Sequence, residues 1–405
     1  MGIDRPLLER RLDELYAIGA EREGGTYRPL YGVAWAAAGD RVEQWMRDAG
    51  LKTRRDAVGN IWGRVEGSGK SIVTGSHIDT VRRGGRLDGA LGIVAGLTAV
   101  ETLLKTNGTP RRTLEVVAIC EEEGSRFSTN FWGSRAITGA IDTVEPEIAA
   151  AMRERGLDPA RISTAARDDI DTFIELHIEQ GAVLEASRMP LAIVSAIVGT
   201  AHLEVTITGR SDHAGTTPME LRQDALAGAA AMIQAIESIA RSLGRPAVAT
   251  VGRLRVEPDQ VNVVPGTVVF TVDLRHSDLG GRRALEERVR SLCGTISQER
   301  RLGLAIRTLQ EKPPVAMHPD VRALLAGAAQ QCGVQAAEMV SGAGHDAQIL
   351  AARCKVGMLF VPSVGGRSHC PEEATRPEHL ELGTTVLTKA LELLAYQAAP
   401  AARSG

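Results

Sequence analysis

The hydrophobic pattern of this 405-residue chain changes period near residue 200 and changes back near residue 317. Before the first change, strand-like apolar runs alternate with helical stretches. SIVTGSH (71–77), LEVVAIC (114–120) and TFIELHIE (172–179) read as strands, and the Ala-, Leu- and Val-rich stretch from Gly89 to about Leu104 has helical spacing. Such alternation argues for an α/β sheet with helices on both faces. HLEVTITG (202–209) then alternates with period two, which fits a sheet with one exposed face. A helix (about 224–242), two strands (about 247–256 and 266–276), a helix (about 281–297) and a strand (302–310) follow, the β-α-β-β-α-β order of the ferredoxin-like split unit. With KVGMLFV (355–361) and a final helix (about 379–396) the first pattern resumes. The expected architecture is an α/β catalytic domain with a central, mostly parallel sheet (residues 1–200 and 317–405), interrupted by an inserted ferredoxin-like domain (201–316).

Composition narrows the function classes. Only 3% of residues are aromatic, so Val, Ile, Leu and Ala must fill the core. The net charge is -3, and no basic block carries interleaved aromatics, so no nucleic-acid surface is expected. The charged N-terminus MGIDRPLLERRLDEL reads as an amphipathic helix without an apolar signal core, and no apolar run is long enough for a membrane span. The five cysteines, Cys120, Cys293, Cys332, Cys354 and Cys370, are odd in number and form no CxxC pair. A reducing cytoplasm is the expected location. The Ala-rich tail AAPAARSG is expected to fray.

Seven segments could carry chemistry. In GSHIDT, His77 and Asp79 lie two apart, so at a strand end both point to one side, with Asp88 shortly after. A metal-bound imidazole commonly donates its other N–H to a carboxylate, a role that suits Asp79; a polar surface turn is the alternative. Glu121, Glu122 and Glu123 follow a strand directly. Adjacent carboxylates repel, which a solvated loop tolerates and a nearby cation reverses. In ELHIEQG, Glu175, His177 and Glu179 share one strand face, which is either functional or an exposed edge. SDHAGTTPM places His213 at a turn or helix start, and VNVVPG with DLR offers Asn262 and Arg275. Arginine suits a bidentate grip on carboxylate, although a surface ion pair is the commoner use. SGAGHDA is a Gly-rich loop with His345 and Asp346, whose N–H groups can bind anions. GGRSHCPEE contains His369. A two-metal site needs imidazole and carboxylate ligands with one bridging acid, and His77, Asp88, Glu123, His177 and His369 would supply that set.

The order of these segments resembles the M20-type metallohydrolases, in the branch of N-carbamoyl-L-amino acid hydrolases, bacterial-type β-ureidopropionases and allantoate amidohydrolases. GSHIDTV, RLDGALG, EEEGSRF, ELHIEQG, DHAGTTPM, NVVPG, DLRH, GAGHDA and SHCPEE carry the resemblance from about residue 25 to 395. It implies two divalent metal ions per subunit (Zn, Mn, Co or Ni), with His77 and His177 on one, Glu123 and His369 on the other, and Asp88 bridging. It implies Glu122 as the general base, which takes a proton from the attacking water and returns one to the leaving nitrogen, and Asp79 as the group orienting His77. It implies that the inserted domain is a lid that also forms a homodimer interface. There His213 would reach the partner's active site to stabilise the oxyanion, with Asn262 as a second residue acting across the interface. Asn262 and Arg275 would bind the carboxylate of a small-molecule substrate, helped by Gln180 and the backbone of Gly342, Ala343 and Gly344.

The implied reaction is hydrolysis of the carbamoyl C–N bond of N-carbamoyl-L-amino acids. Allantoate hydrolysis, or N-carbamoyl-β-alanine hydrolysis, is the alternative. The allantoate-specific members carry Gln and basic residues where this chain reads Thr200-Ala201-His202. A non-catalytic metal- or ureido-binding protein on the same fold would show a damaged base or ligand, yet Glu122 and all five ligand positions are intact. No cysteine has the setting of an amidase nucleophile. Cys370 beside His369 reads as a packed free thiol.

Overall fold

The computed structural model describes residues 2–397, so the Ala-rich tail (398–405) lies outside the described residues. Thirteen strands, numbered along the chain, occur among them: β1 Lys52–Arg55, β2 Ile61–Val65, β3 Ser68–His77, β4 Arg112–Ile119, β5 Ile170–Ile178, β6 Ala192–Ile197, β7 Gly199–Thr208, β8 Val248–Glu257, β9 Thr267–His276, β10 Gly303–Lys312, β11 Val315–Ala316, β12 Ala337–Ser341 and β13 Lys355–Val361. They belong to two compact units, one comprising the chain up to Ser195 and from Met317 onward, the other Ala196–Ala316.

In the first unit the sheet runs β1-β2-β4-β3-β5-β13-β6, with β12 paired to β6. Its centre, β4-β3-β5-β13, is parallel, and its flanks, β1-β2-β4 and β13-β6, are antiparallel. Parallel strands covered on both faces read as continuous apolar runs. Accordingly, β4 is buried along all but its first residue. Residues 90–100 of the helix Ala90–Asn107 are buried on every side, because β3 packs on one side of the helix and the helices Arg5–Ala17 and Pro377–Ala395 pack against it elsewhere. Among the described residues no helix is long and apolar enough to cross a membrane.

The second unit follows the order β7, helix Ala225–Leu243, β8, β9, helix Leu279–Glu299, β10, and its sheet is antiparallel throughout in the order β10-β7-β9-β8. The period-two pattern of β7 turns Ala201, Leu203, Val205 and Ile207 inward. They pack with Phe270 and Val272 of β9 and with Met232 and Val289 of the two helices. Asp224 caps the first helix by accepting the N–H groups of Leu226 and Ala227, both at 2.9 Å, and Asp278 caps the second by accepting Gly281 N–H at 2.8 Å.

One corner of the first unit tolerates only glycine. Gly89 opens the helix Ala90–Asn107 with φ 67, and a Cβ there would lie 2.3 Å from the His77 carbonyl oxygen and 2.5 Å from His77 Nδ1. This close approach brings Asp88 against the end of β3. The backbone conformation alone costs a side-chain-bearing residue about 1–3 kcal/mol. Gly89→Ala is expected to lower the thermal unfolding midpoint by roughly 2–4 °C for each kcal/mol lost. A melting curve superimposable on that of the parent would show that the corner relaxes freely.

Candidate active site

The four parallel strands end at one edge of the sheet, and each delivers a titratable group there. β3 ends on His77, β5 carries His177 one residue before its end, Glu121, Glu122 and Glu123 come shortly after β4, and the loop after β13 carries His369. The carboxyl ends of parallel strands are where open α/β sheets place ligands. β5 lies between β3 and β13, so His177 is central and buried, and the exposed-edge reading of ELHIEQG does not hold. Glu179 is also structural: its two oxygens accept the N–H groups of Val183 and Leu184 at 2.7 and 2.9 Å.

Asp88 stands at the centre. Its Oδ1 lies 3.3 Å from His77 Nε2 and 3.1 Å from His177 Nε2. Its Oδ2 lies 3.1 Å from His369 Nε2, which is 3.3 Å from Glu123 Oε1. Two donor sets result, His77–Asp88–His177 and Asp88–Glu123–His369, with one carboxylate common to both. Tetrahedral N and O ligands at about 2.0–2.2 Å from a divalent cation are separated by about 3.3–3.6 Å. The donor atoms are already close to that spacing, so the residues fit such an ion.

Asp79 organises the site from behind. Its Oδ1 is 3.3 Å from His77 Nδ1 and accepts Glu122 N–H at 3.0 Å, while Oδ2 accepts Glu123 N–H at 3.2 Å. One buried carboxylate thus orients an imidazole and pins the acidic loop. His177 Nδ1 faces the Ile178 carbonyl oxygen at 2.9 Å.

The three successive glutamates do not form a solvated loop. Glu121 and Glu122 are 2% and 9% exposed, because the backbone turns the three side chains to different places. Glu121 accepts Trp132 N–H at 3.2 Å and also the N–H of Gly124, which closes the loop. Glu123 meets His369. A Glu122 carboxylate oxygen lies within 4.8 Å of ligand atoms on His77 and Glu123.

Burial pushes the Glu122 carboxyl well above the usual carboxylate range, and the neighbouring Glu123 adds to this. Burial also raises Glu123, although its bond to His369 opposes the rise. Burial works against the Asp88 carboxylate too, yet bonds from His177, His369 and His77 hold it well below its ordinary value. His369 is raised to about 10 by Asp88 and Glu123. Burial works against charge on both histidines, yet His77 is raised by Asp79 and Asp88 and His177 by Asp88. Burial pushes His345 well below the usual imidazole range, and the neighbouring His177 adds to this.

The other expected residues fall into two groups. Gln180 Nε2 donates to Asp88 Oδ2 at 2.9 Å, and Gln180, Ala343 and His369 line a cavity of about 440 Å³ that also includes Arg367 and Cys370. The Ala343 N–H is taken by Ser341 Oγ at 3.2 Å, and the same hydroxyl sits 2.9 Å from His345 Nε2. Gly342 and Gly344 flank Ala343 in the same loop. His213, Asn262 and Arg275 belong to the second unit. Within it, the His213 and Asn262 loops are joined by Ala214 N–H donating to the Asn262 carbonyl at 2.9 Å. Arg275 is held by Asp273, with Nη2 at 2.7 Å.

Two contributors were not identified in the sequence. Glu373 accepts the N–H groups of Leu87 and Asp88 at 2.7 and 3.0 Å; its signal was its place in SHCPEE. Arg28 is fully buried, donates to the Ile78 carbonyl at 2.8 Å and faces Asp79, Asp88 and Glu373; burial lowers its pKa to about 10. No motif announces it.

Residues 73–393 match the model of Peptidase family M20/M25/M40. The chain is 40% identical to an allantoate amidohydrolase of Bacillus subtilis (strain 168), over 95% of this chain and 96% of that protein. It is 39% identical to an N-carbamoyl-L-amino-acid amidohydrolase of Paenarthrobacter aurescens, over 96% and 97%. The crystal structure of an amidase of the hydantoinase/carbamoylase family from Burkholderia multivorans superposes with a TM-score of 0.92 at 32% identity, covering 98% of this chain and 99% of that one. With its matched segment spanning both the strand-end site and the second unit, the chain belongs to Peptidase family M20/M25/M40.

Proposed function

We propose that this protein is a metal-dependent amidohydrolase that cleaves the carbamoyl C–N bond of N-carbamoyl-L-amino acids, giving ammonia, CO2 and the free amino acid. The observation that carries the reading is the shared Asp88 carboxylate, with one oxygen toward His77 and His177 and the other toward His369. Four ligands around one bridging acid suit two divalent cations, and Zn, Mn, Co and Ni accept such donors. Bound cations would polarise the scissile carbonyl and lower the pKa of water from about 15.7 toward about 7.

Glu122 is the proposed general base. It stands beside the ligand set and makes no structural bond comparable to those of Glu121. Its buried carboxyl, raised above the usual range, is suited to take a proton from the attacking water and return it to the leaving nitrogen. A ureido carbonyl is a poor electrophile because two nitrogens donate into it, so an oxyanion donor is needed. His213 is proposed for that role, reaching the site of a partner subunit in a homodimer. In support of such pairing, edge strand β8 exposes Val248 and Leu254. Arg275, fixed by Asp273, and Asn262 would take the substrate carboxylate, helped by Gln180 and the 342–344 backbone.

Allantoate is the second reading, supported by the similarity to allantoate amidohydrolases. Thr200 lies opposite Arg275 in the β7/β9 ladder, so both side chains leave the same face. A small uncharged side chain beside the carboxylate grip offers little to the second ureido arm of allantoate, which favours the carbamoyl amino acid.

Ammonia release by the metal-replete enzyme should be faster with N-carbamoyl-L-amino acids than with N-carbamoyl-β-alanine or allantoate. Preferred turnover of allantoate would reverse the assignment. Glu122→Gln should bind metal as the parent does while losing nearly all turnover; metal lost on dialysis would instead make Glu122 a ligand. His213→Ala should reduce kcat by roughly 100- to 1000-fold with an unchanged melting curve. Near-parental kcat in that variant would remove His213 from the chemistry.

A further inference from the structure

His369 is the least secured of the five ligand residues. Its side chain is 48% exposed, it lies in a loop, and its backbone sits at φ 56, a left-handed conformation that favours glycine. His77 and His177, by contrast, lie on strands and are 2% and 1% exposed. Something must hold the His369 loop against Asp88.

Glu373, four residues further on and 4% exposed, makes that connection. Its Oε1 accepts Leu87 N–H at 2.7 Å and Asp88 N–H at 3.0 Å, and its Oε2 accepts the Ser368 hydroxyl at 2.7 Å. Ser368 Oγ also lies 3.3 Å from Asp88 Oδ2. One carboxylate therefore spans the backbone that presents the bridging acid and the residue preceding the exposed imidazole. Gly85 makes room for it: a Cβ there would lie 2.2 Å from Glu373 Oε1.

We propose that Glu373 is a positioning residue that latches the Asp88 turn to the His369 loop and so assembles the second donor set, Asp88–Glu123–His369. The inference rests on the two-cation reading of the site. The latch acts unequally on the two sets. Release of the His369 loop leaves His77 and His177 on their strands but removes an imidazole from Glu123. Geometry rather than charge is the requirement. A glutamine could turn its oxygen to the two N–H groups and its amide N–H to Ser368, whose hydroxyl would then face Asp88.

The test is Co²⁺ titration of the metal-stripped protein, followed by visible absorption, for the parent and for Glu373→Ala, Glu373→Gln and Ser368→Ala, with circular dichroism to confirm folding. The parent should take up two equivalents, and His369→Ala should lose the second. Glu373→Ala should bind the first equivalent within threefold of the parent and the second about 10- to 100-fold more weakly, the usual effect of removing a group that supports a ligand. Glu373→Gln should restore the second affinity to within a few-fold. If Glu373→Ala does not fold, Ser368→Ala, which cuts only the far end of the latch, should still weaken the second equivalent selectively. A folded Glu373→Ala with two parental affinities would overturn the proposal, as would equal weakening of both equivalents or, where that variant does not fold, a Ser368→Ala protein with parental affinities. A parent that binds fewer than two equivalents would overturn the two-cation reading itself, and this outcome is visible before any Glu373 variant is compared.

Discussion

The Asp88 carboxylate is the interaction on which the site depends. Its two oxygens face different partners, so a small rotation or shift of this one group would disturb both donor sets at once. The fold fixes it from three directions. Gly89 permits the tight corner behind it, Glu373 holds the N–H groups at its own position and the one before, and Gln180 donates to its outer oxygen at 2.9 Å. A site in which one carboxylate serves two sets needs this redundancy, because positional errors are not averaged over separate ligands.

Electrostatics explains why these supports are buried. Asp79, Asp88, Glu121, Glu122, Glu175, Asp346 and Glu373 are all buried in the first unit, a concentration of acids that a protein interior tolerates only with hydrogen bonds and cationic partners. Asp79 and Glu121 are satisfied largely by backbone N–H groups. Arg28 supplies a permanent positive charge behind the strand ends, and the histidines or bound cations supply the rest. Burial raises both Asp346 and Glu175; Glu175 raises Asp346 further, while His177 and the Ser76 hydroxyl oppose the rise at Glu175.

Much of this arrangement was legible in the sequence. Strands β3, β4, β5 and β13 were visible because parallel strands buried on both faces carry continuous apolar runs, and the second unit because a one-sided sheet alternates. His77, His177 and Glu123 were visible at or just past the ends of such runs, whereas Asp88 and His369 lie in loops and were legible only through the order of the motifs around them. The supports were harder to see. Glu121 and Glu122 are neighbours with opposite duties, and only the backbone turn between them separates a loop-closing acid from a proposed base. Arg28 lies in no apolar pattern; its role comes from a fold that places it under Ile78, 50 residues away. Glu373 serves residues 285 and 286 positions earlier, a relation that local spacing does not express.

The two donor sets also differ in what they rest on. His77 and His177 sit at the ends of neighbouring parallel strands, where His77 pairs with Ile119 of β4 and His177 with Phe360 of β13, so both imidazoles of the first set are carried by the sheet. Glu123 and His369 come from loops, and His369 is partly open to the cavity that Gln180, Ala343 and Arg367 also line. Asp88 is common to both, and its Gly89 corner and Gln180 bond remain when the His369 loop is loosened, so the two sets can fail separately.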